Sequence, residues 1–267
     1  MGVALAAGLS AALLAACDRP PAADRTKTHR VRVAAASDLR FALAELARGF
    51  EADHDVTVIA SYGSSGTFST QLMNQAPFDL FLSADLEYPR QLAARGLTID
   101  GTEFQYAVGR LVLWARRSSA LDLETAGLRT LADPAVAHVA IANPAHAPYG
   151  RAAVAAMQSA DVYDAVRRKL VFGENVEQAL QFAQSGAADA GIVALSLALA
   201  PPVKDQGRYV TVPLETYPRI TQGGVILRWA ADVDSARALR AFIIGDEGRA
   251  ILKRYGFFLP GSQPGGF

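Results

Sequence analysis

The feature that most constrains the fold is an alternation of short apolar runs with amphipathic stretches, and it occurs twice along the chain. Each apolar run leads through a turn of small residues into a stretch of helical period, and the two sets lie within residues 31–95 and 138–195. Two parallel strands need a long crossover connection, which is usually a helix, so strands that alternate with helices are expected to pair in parallel. The pattern therefore predicts an α/β fold with two lobes, each a mainly parallel sheet flanked by helices.

Two further β-rich runs, at residues 108–115 and 224–229, do not fit this alternation. We interpret them as two crossover strands that carry the chain into the second lobe and back. The predicted lobes are residues 31–110 plus 224–262 and residues 111–223. A final helix is predicted over residues 233–253. A fold of this kind has a cleft at the strand ends, where ligands of open α/β sheets bind.

Composition excludes several functional classes. The chain has 26 Lys plus Arg against 26 Asp plus Glu, so it lacks the basic surface of a nucleic-acid binder, and we predict no nucleic-acid partner. A single cysteine excludes a disulfide framework and a thiolate metal cluster. The four histidines show no spacing typical of a metal site. We predict a monomer.

The amino terminus is typical of an export signal. Residues 3–16 form an apolar run that is shorter than the ~20 residues of a membrane-spanning helix. The run ends in Leu14-Ala15-Ala16-Cys17, which resembles a bacterial lipobox, in which a lipid is attached to the cysteine. We predict a lipoprotein signal peptide over residues 1–17, a lipid anchor on Cys17 and a flexible tether over residues 18–30. Asp18 resembles a signal for retention in the inner membrane. An ordinary signal peptide with a chance cysteine is the alternative.

Turns that precede predicted helices carry small polar residues in both halves of the chain. They are residues 36–38 and 63–67 in the first half and residues 143–150 and 173–176 in the second. Free backbone N–H groups and the helix dipole make such turns suitable for anions, and Ser hydroxyls add uncharged donors. Taken alone, the turn at Ser37-Asp38 is more often a helix cap and the one at residues 63–66 more often a simple turn. Their parallel placement favours one anion site.

Six collinear motifs resemble the periplasmic molybdate-binding proteins of ABC importers, over about residues 31 to 260. They are Ala-Ala-Ser-Asp-Leu at 35–39, Gly-Ser-Ser-Gly at 63–66, Ala-Pro-Phe-Asp-Leu-Phe-Leu-Ser-Ala-Asp at 76–85, Asn-Pro-Ala-His-Ala-Pro-Tyr-Gly at 143–150, Gly-Glu-Asn-Val at 173–176 and Arg-Tyr-Gly-Phe at 254–257. The resemblance implies the two-lobed periplasmic-binding-protein fold and a location in the periplasm. It also implies a molybdate or tungstate ligand, delivery to an importer permease, no enzymatic activity and no cofactor.

This family binds its oxyanion between the lobes with backbone N–H groups and neutral hydroxyls. Carried over to this chain, the resemblance implies ligand contacts from a set of residues in both halves, namely Ser37, Asp38, Ser65, Tyr149 and Val176.

Two departures from the family pattern bear on the ligand. Many relatives have Ser where this chain has Asp38, and some have a ligand-binding Tyr where this chain has Ala194. Tyr149 is then the candidate for the missing phenol. Two hypotheses reconcile Asp38 with an anion. Its carboxylate caps the following helix while its backbone N–H serves the ligand, which we favour, or it is protonated and donates a hydrogen bond.

Two alternatives remain open from the sequence. One is a binding protein for another tetrahedral oxyanion, sulfate or a phosphorus oxyanion. The other is a hydrolase with Ser64 or Ser65 as nucleophile, His146 as base and an Asp such as Asp85, although no Gly-x-Ser-x-Gly motif is present.

Overall fold

The computed structural model describes residues 1–2 and 27–261, which form two five-stranded sheets flanked by helices. The predicted signal peptide from residue 3 onward, Cys17 and most of the predicted tether lie outside the described residues. The strands are β1 (His29–Ala36), β2 (Val56–Gly63), β3 (Leu80–Ser83), β4 (Phe104–Gly109), β5 (Leu111–Arg116), β6 (Val139–Ala142), β7 (Leu170–Gly173), β8 (Ala190–Ala194), β9 (Gly207–Thr211) and β10 (Ile220–Ile226). The helices are α1 (Arg40–Asp53), α2 (Ser65–Met73), α3 (Glu87–Ala94), α4 (Leu123–Ala126), α5 (Pro148–Ser159), α6 (Tyr163–Val166), α7 (Val176–Ser185), α8 (Leu195–Ala198), α9 (Val233–Ile244) and α10 (Asp246–Arg254).

The two sheets have the same arrangement. The first has the order β2-β1-β3-β10-β4, in which β1 pairs in parallel with β2 and β3, and β10 runs antiparallel to β3 and β4. The second has the order β7-β6-β8-β5-β9, in which β6 pairs in parallel with β7 and β8, and β5 runs antiparallel to β8 and β9. Each sheet therefore contains a single reversed strand, and the prediction of two mainly parallel lobes is confirmed.

The reversed strands are the ones that enter each lobe from the other. β4 ends at Gly109 in the first sheet and β5 begins at Leu111 in the second, so the predicted run at residues 108–115 is divided between the sheets. The return strand β10 begins at Ile220, earlier than the β-rich run at 224–229 indicated. β1 begins at His29, inside the segment predicted as tether.

The predicted final helix is two helices. It is interrupted at Gly245, whose backbone is extended, and α10 begins at the next residue. A helical period continues across such a break, so periodicity alone missed it. Gly256 follows α10 with a φ of 78°, the left-handed conformation expected of glycine after a helix end.

The core runs through both lobes. All four residues of β3 and of β6 are buried, as expected for central strands covered by helices on both faces. Trp114 on β5 and Phe50 on α1 are among the largest fully buried side chains. No helix among the described residues is long and apolar enough to cross a membrane.

Candidate functional site

A small cavity lies between the lobes, where strands of both sheets end. The space that the centre of a water-sized sphere can occupy in it is about 10 Å³, which is room for about one such sphere. The cavity therefore suits a compact ion rather than an organic molecule. Within the part of the chain that the structure describes, no Lys, Arg or His lines it. The lining residues are Ala36, Ser37, Asp38, Gly63, Ser64, Ser65, Ala84, Ala147, Pro148, Tyr149, Asn175 and Val176.

Three helices begin at this cavity. α2 begins at Ser65, α5 at Pro148 and α7 at Val176, so α2 comes from the first lobe and the others from the second. Asn175 caps α7, and its side chain accepts hydrogen bonds from the second and third amides of that helix. The first amide, of Val176, is left for a ligand. The positive ends of these helix dipoles meet at one point.

Two buried serines supply hydroxyl groups. Ser65 Oγ accepts a hydrogen bond from the Ala84 amide at 2.9 Å, and Ser37 Oγ accepts one across the lobes from the Glu177 amide at 3.4 Å. A hydroxyl has one hydrogen to donate in addition to its acceptor lone pairs. Because both oxygens already act as acceptors, both hydrogens are available for an anion.

Asp38 does not cap the following helix, so the capping hypothesis that we favoured from the sequence was wrong. Asp38 lies within a 3-10 turn, Ser37–Leu39, and neither this turn nor α1 has a side-chain cap. Its carboxylate instead accepts hydrogen bonds at Oδ2 from Tyr149 Oη at 3.0 Å and from Gln222 Nε2 at 2.6 Å. Burial raises the pKa of Asp38 to about 6, against the lowering effect of these two hydrogen bonds and of the Asp38 backbone amide.

Gln222 completes this buried cluster. It lies at a bulge in β10, is fully buried, and also donates from Nε2 to Tyr149 Oη at 3.1 Å. Burial, and the nearby Asp38 carboxylate, hold the pKa of Tyr149 well above its usual range, so the phenol keeps its hydrogen. Sequence reasoning missed Gln222, because a single amide in an apolar strand has no motif. The predicted β-rich run begins at residue 224, so the pattern did not cover this position.

Comparison with known proteins places this architecture in a family. Residues 31–258 match the family described as bacterial extracellular solute-binding protein. The chain belongs to this family. The molybdate-binding protein ModA of Azotobacter vinelandii is 37% identical over 257 residues, which cover 96% of each chain. ModA of Rhodobacter capsulatus is 39% identical over 201 residues, or 75% of this chain and 77% of that one.

A solved structure agrees with these sequence matches. The periplasmic molybdate-binding protein of Azotobacter vinelandii has a TM-score of 0.81 at 33% identity, covering 86% of this chain and 99% of that one. The family and the two-lobed fold predicted from the sequence motifs are therefore confirmed. The five predicted ligand residues of this solute-binding protein all line one cavity, and their role as ligand contacts stays a prediction.

Contacts outside the cavity join the two lobes of this solute-binding protein. His146 contacts the start of α2 twice, with Nδ1 at 2.8 Å from Ser64 Oγ and its carbonyl accepting from the Gly66 amide at 2.9 Å. Arg151 pairs with Asp85 at 2.7 Å between Nη2 and Oδ2. These contacts hold the lobes together around the cavity.

The hydrolase alternative lacks its third catalytic residue, an acid that orients the imidazole of His146. Ser64 and His146 do meet, but Ser64 Oγ also accepts from the Thr67 amide as the cap of α2. Asp85 pairs with Arg151 and does not orient the imidazole, and the carboxylate nearest to His146, on the exposed Glu174, is 3.8 Å from Nε2. Among the described residues no group of three or more His, Cys, Asp or Glu could hold a metal ion.

Proposed function

We propose that this protein captures a tetrahedral oxyanion, molybdate or tungstate, between its lobes and delivers it to the permease of an ABC importer. Its membership of the solute-binding family and its similarity to two ModA proteins support this proposal. Its family also supports a role in binding rather than catalysis.

The observation that carries the proposal is a small cavity that uncharged hydrogen-bond donors from both lobes line, with Asp38 as the one acidic side chain among the described residues around it. The donors are the hydroxyls of Ser37 and Ser65 and the first free amides of α5 and α7, at Tyr149 and Val176. Pro148, the first residue of α5, has no N–H, so the Tyr149 amide is the first that this helix offers. Hydrogen bonds to a charged acceptor contribute about 1.5 to 3 kcal/mol each.

Neutral donors also explain selection for a fully deprotonated dianion. When Asp38 carries a proton, an anion that is itself protonated would point one O–H at a protein donor, and that clash costs binding energy. A cationic side chain would attract either form. The absence of Lys and Arg from the cavity lining therefore favours a ligand that is a dianion at neutral pH.

Parallel calorimetric titrations with molybdate, tungstate, sulfate and phosphate test the proposal. We expect molybdate and tungstate to bind with one site per chain and more tightly than sulfate or phosphate, where a hundredfold difference in Kd corresponds to about 2.7 kcal/mol. Preferential binding of sulfate or phosphate would assign the protein to another tetrahedral oxyanion. Binding of none of the four would refute the proposed function.

The proposed cellular setting follows from the same family. We place the protein in the periplasm as a monomer, tethered to the inner membrane through lipid on Cys17, with the permease as its partner. It needs no cofactor in this role, since capture and release involve no chemical step.

A further inference from the structure

Among the described residues that line the cavity, Asp38 is the only one with a carboxyl group. Tyr149 from α5 and Gln222 from β10 contact its side chain, and Tyr106 from β4 lies close enough to be affected by its charge. The Tyr106 hydroxyl donates a hydrogen bond to the carbonyl of Ser83 at 2.9 Å. None of these neighbours is cationic.

Arg40 and Arg110 are engaged in other contacts. Arg40, two residues after Asp38, pairs with Glu177 at 3.0 Å, and Arg110 stacks over the ring of Phe258. A dianion in the cavity would therefore meet an ionised, uncompensated Asp38. Two unit charges near 4 Å repel by about 4 kcal/mol at an effective dielectric of 20, so neutralising the carboxyl group would strengthen anion binding.

The hydrogen bonds show which oxygen can accept a proton. Both donors, Tyr149 Oη and Gln222 Nε2, point at Oδ2 of Asp38, while Oδ1 is buried and has no hydrogen-bond partner. A carboxylate oxygen has two lone pairs, and those of Oδ2 are occupied. A proton that joins this carboxyl group therefore resides on Oδ1.

We propose that Gln222 is a positioning residue that, together with Tyr149, holds Oδ2 of Asp38 so that Oδ1 takes up a proton and donates it in a hydrogen bond to the bound oxyanion. The inference rests on the proposed function. One proton from solvent joins Oδ1 as the anion binds, and no other bond is made or broken. Asp38 then acts as a neutral donor like Ser37 and Ser65, and anion capture becomes linked to pH.

The direction of this linkage follows from burial. The pKa of Asp38 is about 6 without an anion charge beside it, so the group is largely ionised at neutral pH. A neighbouring dianion raises that pKa further, because it disfavours the ionised form. At a pH between the pKa of Asp38 in the free protein and its higher pKa in the complex, the complex holds a proton that the free protein lacks. Affinity for the anion therefore falls as pH rises through this range.

Calorimetry with molybdate in buffers of different ionisation enthalpy measures the proton uptake directly. For the wild type we expect uptake approaching one proton per anion near neutral pH, and a Kd that rises toward about tenfold per pH unit above it. For Asp38→Asn we expect retained binding with no proton uptake and a flat pH profile, because the amide cannot ionise and donates from the same place.

Gln222→Met tests the positioning role. The hydrogen bond from Gln222 lowers the pKa of Asp38, so its loss raises that pKa in the free protein. We expect less proton uptake near neutral pH and an affinity that stays flat to a higher pH than in the wild type. Tyr106→Phe is the matched control. It removes another buried hydroxyl near Asp38 that donates to Ser83, and should leave uptake unchanged.

The outcomes separate the inference from the proposed function. Tight molybdate binding by the wild type without proton uptake would overturn the inference and leave the function intact. A Gln222→Met profile that is weaker at every pH, with unchanged uptake, would make Gln222 a packing residue. The wild-type proton count and Asp38→Asn decide whether Asp38 takes up a proton even if Gln222→Met does not fold. Failure of the wild type to bind any of the four anions would refute the function itself.

Discussion

Replacing Ser65 with alanine should weaken both anion binding and the fold, because its hydroxyl has two partners. Ser65 is buried, and its oxygen accepts a hydrogen bond from the Ala84 amide at 2.9 Å while its hydrogen faces the cavity in the proposed complex. Loss of a donor to a charged ligand costs about 1.5 to 3 kcal/mol, or roughly ten- to a hundredfold in Kd. The orphaned Ala84 amide costs about 1 to 3 kcal/mol of unfolding free energy.

Ser69→Ala is the matched control for this experiment. Ser69 lies one turn further along α2, is equally buried, and its hydroxyl has no hydrogen-bond partner. Its removal should leave both molybdate affinity and unfolding free energy close to wild type. Calorimetry gives the two Kd values and urea titration gives the two unfolding free energies. A Ser65→Ala protein with wild-type Kd would refute the ligand role of Ser65, whatever its stability.

Three further changes test other parts of the structure. Gly66→Ala should raise Kd at least about tenfold, because a Cβ there would lie 2.6 Å from the His146 carbonyl oxygen in the other lobe. The same Cβ would lie 2.6 Å from Tyr88 Oη in its own lobe, so some loss of stability is expected as well. Small-angle scattering should show a larger radius of gyration, and a wild-type affinity would contradict the close contact between Gly66 and His146. Arg151→Met should raise Kd by no more than about fivefold, because its ion pair with Asp85 is partly exposed and contributes at most about 1 kcal/mol; a much larger loss in calorimetry would place Arg151 in the binding machinery. Cys17→Ala should release the protein into the soluble periplasmic fraction with unchanged Kd, and continued membrane association on fractionation would exclude the lipid anchor.

Asp38 shows where sequence reasoning is weakest. An acidic residue just before a helix is typical of a cap, and the local pattern favoured that role. The carboxylate instead turns to Tyr149 and Gln222, which are 111 and 184 residues away along the chain. No local pattern encodes a partner at that separation, so the orientation of the side chain could not be predicted.

The α/β fold and its two lobes follow from the sequence alone, because the order of apolar runs and helical periods determines how strands pair. The turns that carry Ser37, Ser65, Tyr149 and Val176 were predicted for the same reason, since each follows the end of a strand. The tertiary structure decided what joins the lobes and what surrounds Asp38. Those contacts depend on how the two sheets pack against each other. Burial between them, rather than residue type, raises the pKa of the Asp38 carboxyl group.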